Sequence, residues 1–300
     1  MESIKSILGD ADNKAIEKSF LEELKDPSFK EVVSLLNCDI KKLYKYRSSI
    51  KDSSMEFNNC KGCKGLDYCK NAYSGYLYFP EIKDDNVLFS YVPCKYKKKD
   101  IKDNKYLDNI SLYEISSSLK NAKMKDIYVD DKSRVSVIKY LNDFYENYSK
   151  EKRKGLYLSG SFGSGKTYMI SALFNELAKR DVKSAIVYFP EFLRTLKSSF
   201  SNGYEEKFDY IKKAPLLLLD DIGAEAVTSW GRDEILGTIL QYRMEEDLPT
   251  FFTSNLNLTE LEEHLSNTKE KTEKLKARRI IERIKYLCNE MELISVDRRK

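Results

Sequence analysis

The run Gly160-Ser161-Phe162-Gly163-Ser164-Gly165-Lys166-Thr167 directly follows the apolar stretch Leu156-Tyr157-Leu158. It fills the template G-x-x-x-x-G-K-[ST] without a mismatch. The glycines let the chain curl so that successive N–H groups face inward, where phosphate oxygens can accept from them. Lys166 brings a compact positive charge to the β- and γ-phosphates, and Thr167 offers a hydroxyl to Mg²⁺. The expected contact set for ATP is therefore Gly160, Ser161, Phe162, Gly163, Ser164, Gly165, Lys166, Thr167 and Tyr168. A chance glycine-rich turn is the plain alternative, and the strand before it and helix after it argue against that.

A second pair of residues belongs to the same chemistry. Leu216 to Leu219 read as a strand buried on both faces, and the run ends in Asp220-Asp221. Carboxylates at the carboxyl end of a buried strand sit where α/β folds bind ligands. Asp220 is expected to serve the Mg²⁺ and Asp221 to orient the attacking water.

Such a site needs a sheet behind it. Apolar β-rich runs at 156–159, 185–189, 216–219, 250–253 and 292–296 alternate with helical stretches, the pattern of an α/β fold with a mostly parallel sheet covered on both faces. Residues 168–180 predict a helix with Ile170, Leu173, Phe174 and Leu177 on one face, and its N-terminus adds partial positive charge at the phosphates. Val135, Ile138, Leu141 and Tyr145 mark an amphipathic helix leading into the loop.

The first third of the chain is different. Ile16, Phe20 and Leu24, then Val32, Leu35 and Leu36, recur at helical spacing around a break at Asp26-Pro27. Residues 56–100 turn to Gly, Asn, Cys and Tyr, with Tyr76 to Phe79 as a short aromatic run ending at Pro80. A lysine-rich stretch over 95–105 reads as an exposed connector, and 108–123 as one more short helix. The expected division is 1–105, a linker over 106–133, and an ATPase domain over 134–300.

Cys60-x-x-Cys63, Cys69 and Cys94 supply four thiolates, which suit a tetrahedral structural Zn²⁺, with free buried thiols as the other reading. Cys38 and Cys288 read as core thiols. The chain is 33% charged with a net charge of only +4, so total charge does not demand a nucleic-acid partner. No signal peptide or membrane span is visible in the sequence, and a cytoplasmic protein without a membrane partner is expected.

Asp221-Ile222-Gly223-Ala224-Glu225, Trp230-x-Arg232-Asp233 and Phe251-Phe252-Thr253-Ser254-Asn255 resemble the AAA+ helicase loaders of the DnaC/DnaI family. The likeness is closer to the DnaI-type primosomal loaders, because a cysteine-rich domain precedes the ATPase. It implies an AAA+ P-loop NTPase core without a C-terminal lid, preceded by a small helical, zinc-binding domain that holds the replicative DNA helicase. It also implies ATP and single-stranded DNA binding by the core, and self-association through ATP-bridged interfaces. Asn255 is implied to be the polar sensor of the γ-phosphate or attacking water; read by itself, it also fits a cap of the next helix or turn. The basic helix Leu275 to Ile284 resembles the region carrying an arginine finger, with Arg283 the first candidate and Arg279 the second, against a solvated basic face. Asp221 stands where glutamate is usual in the broader AAA+ pattern, which implies slow intrinsic hydrolysis.

Between the second strand and Asp220, Arg194, Lys197 and Phe200 precede Tyr204, Phe208 and Tyr210. They read either as a single-strand path or as ordinary helix surface and core. A transposition ATPase of the IstB type shares the core but normally lacks the cysteine-rich front, and a small-molecule P-loop kinase needs an acceptor pocket and a lid that the sequence does not supply.

Overall fold

The computed structural model describes residues 10–84, 86–198, 204–267 and 273–298. The chain forms two compact units, Met1–Lys105 and Tyr106–Lys300.

In the first unit, α1 (Asp10–Glu23), α2 (Pro27–Leu36), α3 (Ile40–Leu43) and α4 (Arg47–Cys60) precede a hairpin of β1 (Tyr76–Lys83) and β2 (Asn86–Pro93), followed by α5 (Lys95–Asp103). Asp26 explains the break before α2: its carboxylate accepts from the N–H groups of Ser28 and Phe29 at 2.7 and 3.1 Å, with Pro27 as the first helical residue. Phe20, Phe29, Val32, Leu36, Leu43, Ile50 and Val87 form the core, while Leu35 stays exposed. The aromatic run does not stop at Pro80. It continues as β1, because a two-stranded ribbon has only edge strands, where proline is tolerated. The lysine-rich stretch is a helix rather than a connector. Lysine is a good helix former, and a Lys97–Asp100 ion pair of 2.7 Å spans one turn of α5.

The second unit is a six-stranded sheet of β3 (Ile110–Tyr113), β4 (Gly155–Gly160), β5 (Ser184–Tyr188), β6 (Leu216–Asp220), β7 (Thr250–Thr253) and β8 (Cys288–Leu293). Its order is β3-β5-β6-β7-β4-β8, and every pairing is parallel. Two expectations are corrected by this topology. The stretch 106–133 is not a linker, nor 108–123 a helix: Ile110 to Tyr113 pair with Ser184 to Val187 as an edge strand, followed by short 3₁₀ turns. The last strand lies at Cys288–Leu293 rather than 292–296, in register with the whole of β4. Glu290 and Glu292, placed along it, hide it from an apolar-run criterion.

Period-two alternation sorts the strand residues between two cores. Leu156, Leu158, Ile186, Leu216, Leu218 and Phe251 pack under α6 (Lys132–Asn147) and α7 (Lys166–Ala178). Tyr157, Val187, Leu217, Leu219 and Phe252 pack on the other face against α8 (Phe189–Ser198), α9 (Tyr204–Lys213), α10 (Gly237–Glu245), α11 (Leu258–Ser266) and α12 (Lys274–Leu287). All four apolar residues expected on one face of α7 are buried. On α6 the fully buried stripe is Arg134, Val137, Leu141 and Phe144, one residue off the expected setting except at Leu141. Among the described residues no helix is long and apolar enough to cross a membrane.

Candidate nucleotide site

The carboxyl ends of β4, β6 and β7 meet at a cavity of about 650 Å³. The phosphate-loop residues from Phe162 to Tyr168 line it, together with Asp220, Asp221, Thr253 and Asn255. This is the rim at which a parallel α/β sheet binds its ligands.

The loop's shape follows from its glycines. Gly160 has φ 134°, and a Cβ there would lie 2.1 Å from the Leu293 carbonyl oxygen. Gly165, at φ 87°, is the N-cap of α7 and contributes no side chain, so no capping side chain occupies the first N–H groups of the helix.

Lys166 is buried, and its ammonium donates to the carbonyls of Gly160 and Ser161, both at 2.9 Å, and to Asn255 Oδ1 at 2.8 Å. Asn255 Nδ2 in turn donates to Asp221 Oδ1 at 3.1 Å. Asn255 is not the cap of the following helix: Asn257 caps α11. Thr167 Oγ1 and Thr253 Oγ1 both donate to Asp220 Oδ1, at 2.6 and 2.7 Å. Thr253 Oγ1 also accepts the Asp221 N–H at 2.8 Å, which helps hold Asp221 at φ 59°.

Burial raises the pKa of Asp220 above the usual carboxylate range, opposed by the two threonine hydroxyls and by Lys166 and reinforced by Asp221. Asp221 is raised as well, by burial, with Lys166 opposing. Two desolvated carboxylates beside a phosphate-loop hydroxyl form a donor set that suits Mg²⁺, a hard cation that takes oxygen ligands. The residues present therefore fit a nucleoside triphosphate with its metal.

Two further arginines hold this site, and sequence reasoning missed both. Arg134, buried on α6, donates from NH1 to Ser164 O at 2.6 Å and from Nε to Tyr128 O at 3.0 Å. The Arg298 N–H donates to Gly163 O at 2.9 Å. A charged residue in the first turn of a helix reads as solvent-facing, so no sequence signal marked Arg134.

No family model matches the chain. The replicative helicase loader DnaI of Bacillus subtilis (strain 168) is 38% identical over 268 residues, covering 88% of this chain and 84% of that protein. The chain belongs to the DnaI family of replicative helicase loaders. The crystal structure of DnaI matches with a TM-score of 0.59 and 46% identity, covering 65% of this chain and all of that one. A primosome component from Streptococcus pyogenes serotype M3 matches with a TM-score of 0.58 and 37% identity, covering 66% of this chain and all of that one. The parallel sheet flanked by helices is the AAA+ fold of these DnaI-type ATPases.

In this DnaI-family chain the two candidate finger residues lie outside the cavity. Arg283, on α12, is half-buried and donates from NH1 to Gly237 O at 3.0 Å, whereas Arg279 is exposed. Buried Arg232, from the Trp-x-Arg-Asp motif, pairs with Asp233 at 2.6 Å and with Glu273 at 2.5 Å and so fastens the start of α12.

The insertion ahead of Asp220 is mixed. Phe208 packs against the core, Tyr210 OH accepts from Ser111 Oγ at 3.0 Å, and Arg194 pairs with Glu191. Phe200 and the Tyr204 side chain lie outside the described residues.

The four cysteines expected to bind zinc are neighbours in the first unit. Cys60 ends α4, and Cys94 is the N-cap of α5. Burial raises the Cys60 pKa, with smaller raising contributions from Cys63, Cys69 and Cys94. Their sulfurs have separate partners: Cys69 Sγ accepts the Gly75 N–H at 3.2 Å, and Cys63 Sγ donates to Gly65 O at 3.5 Å. Among the described residues no group of three or more His, Cys, Asp or Glu is arranged to hold a metal ion. Cys288 is buried, and its Sγ donates to Ile284 O at 2.9 Å, while Cys38 is only half-buried.

Proposed function

We propose that this protein is an ATP-driven loader of the replicative DNA helicase, acting in the cytoplasm. The single observation that carries this reading is the joined cluster of Lys166, Asn255 and Asp221, with Thr167 on Asp220, in a chain 38% identical to a helicase loader.

In this reading Gly160 to Tyr168 hold ATP, with the Lys166 ammonium on the β- and γ-phosphates. Thr167 and Asp220 would hold Mg²⁺, which neutralises phosphate charge when bound. Asp221, whose pKa burial raises, accepts a proton from the attacking water more readily than an ordinary carboxylate does. Asn255 bridges the lysine and this carboxylate, and so can register whether a γ-phosphate is present. Arg283 serves as the finger for a neighbouring subunit's ATP, with Arg279 as the second candidate; its position outside its own cavity supports action in trans. ATP between subunits then links nucleotide state to self-association.

The first unit holds the helicase, and the ATPase unit holds single-stranded DNA. A structural Zn²⁺ on Cys60, Cys63, Cys69 and Cys94 belongs to the same proposal, supported by four cysteines falling in one short stretch of the first unit. The test is helicase loading onto circular single-stranded DNA with purified components. Wild type with ATP should load the ring, and Lys166→Ala should not. Equal loading by the two would overturn the ATP-driven reading.

A further inference from the structure

Beyond β8 the chain returns to the nucleotide cavity and is fastened there at four points. Ile294 O accepts from Ser133 Oγ at 3.0 Å, and Ser295 Oγ donates to Asp131 Oδ2 at 2.9 Å. The Arg298 N–H donates to Gly163 O at 2.9 Å, and its guanidinium pairs with Asp130. That guanidinium also lies over the Tyr128 ring, 4.5 Å from its centre.

Arg134 repeats the arrangement one residue along, binding Ser164 O with NH1 and Tyr128 O with Nε. Consecutive phosphate-loop carbonyls are thus tied by two arginines that both reach Tyr128. Because the peptide unit is planar, fixing a carbonyl also fixes the direction of the next N–H, here those of Ser164, which donates to Ser161 O at 3.4 Å, and of Gly165.

The cavity has two chemically different ends. Lys166, Thr167 and Asp220 define the phosphate end, and Leu119, Ile127 and Tyr128 give the other an apolar and aromatic wall suited to a base. Arg298 stacks on Tyr128 and so belongs to the base end.

We propose that Arg298 is a nucleotide-positioning residue: its side chain, paired with Asp130, braces the Tyr128 wall beside the base, while its backbone N–H on Gly163 O anchors it next to the phosphate loop. This rests on the nucleotide-binding reading above. A brace at the base end contributes equally to every nucleotide state and to the transition state, so it lowers KM and leaves kcat alone. A residue acting on the γ-phosphate would instead separate ATP from ADP.

The test uses the full chain, with affinities for Mg-ATP and Mg-ADP from calorimetry and steady-state ATPase rates. Arg298→Ala should raise both dissociation constants on the order of tenfold, the cost of losing a charged hydrogen bond, with kcat retained. Asp130→Asn, an exposed change that leaves the fold intact, should shift both constants the same way by less. Arg298→Lys, which keeps the ion pair, should recover part of the loss. Unchanged affinities in Arg298→Ala, or a loss confined to ATP, would overturn the assignment while leaving the nucleotide site standing. Wild type that binds neither nucleotide would remove both readings together.

Discussion

The Lys166 ammonium lies 2.8 Å from Asn255 Oδ1, joining the loop after β4 to the end of β7. The same amide reaches Asp221 just beyond β6, so one asparagine touches both the lysine proposed to read phosphate charge and the carboxylate proposed to activate water. The adjacency arises because β7 lies between β4 and β6 in the sheet, although it follows both in sequence.

That geometry separates binding from hydrolysis. Asp221→Asn should keep ATP and Mg²⁺ binding, since Asp220 and Thr167 remain, and should slow hydrolysis because the water loses its acceptor. Arg283→Ala should also bind ATP normally, because its guanidinium rests on Gly237 O rather than in its own cavity. Mixing the two with helicase and single-stranded DNA should restore ATPase above the sum of the separate mutants. Trans arginines contribute on the order of 10³-fold to rate, so even a minority of restored interfaces is detectable. No recovery on mixing would exclude Arg283 as a trans finger and make Arg279 the next to test.

Much of this site could be read from the chain itself. Lys166, Thr167, Asp220, Asp221 and Asn255 each carry a local signal, a glycine-rich turn or a buried strand ending in polar residues, and the sheet brings them together. The bracing arginines could not be found in this way. Arg134 replaces an apolar residue on the inward face of α6, and Arg298 acts partly through its backbone N–H, which no side-chain pattern reveals. The edge strand β3 was missed for a related reason: four residues inside a stretch that reads as a short helix carry no strand signal until their partner strand is known.

The cysteine cluster is tested by metal analysis. Protein purified without chelator should carry about one Zn²⁺ per chain if four thiolates serve it. The double change Cys60→Ser and Cys63→Ser should release the metal and weaken helicase binding while sparing ATP binding. Stoichiometric zinc retained by the double mutant, or none in wild type, would remove these ligands from the account.

Arg243 offers a separate test of what holds the sheet. It is fully buried, and it donates to Thr250 Oγ1 at 2.7 Å and to the carbonyls of Lys212, Ala214 and Pro249 at 3.1, 2.7 and 2.8 Å. It thereby clasps the chain entering β6 and β7, and burial lowers its pKa to about 9. Arg243→Met keeps the bulk and leaves buried acceptors without their donor, at a cost of about 3 kcal/mol. The urea midpoint should fall accordingly, whereas an unchanged midpoint would show that these hydrogen bonds contribute no net stability.

The central claim is that the loop from Gly160 to Tyr168 binds ATP through Lys166. Calorimetric titration of Mg-ATP into wild type and Lys166→Ala tests it most directly, with thermal unfolding of both proteins confirming that the fold survives. The expected result is saturable binding by wild type and loss of most of that affinity in the mutant at unchanged unfolding temperature. Equal affinity in the two folded proteins would contradict the account.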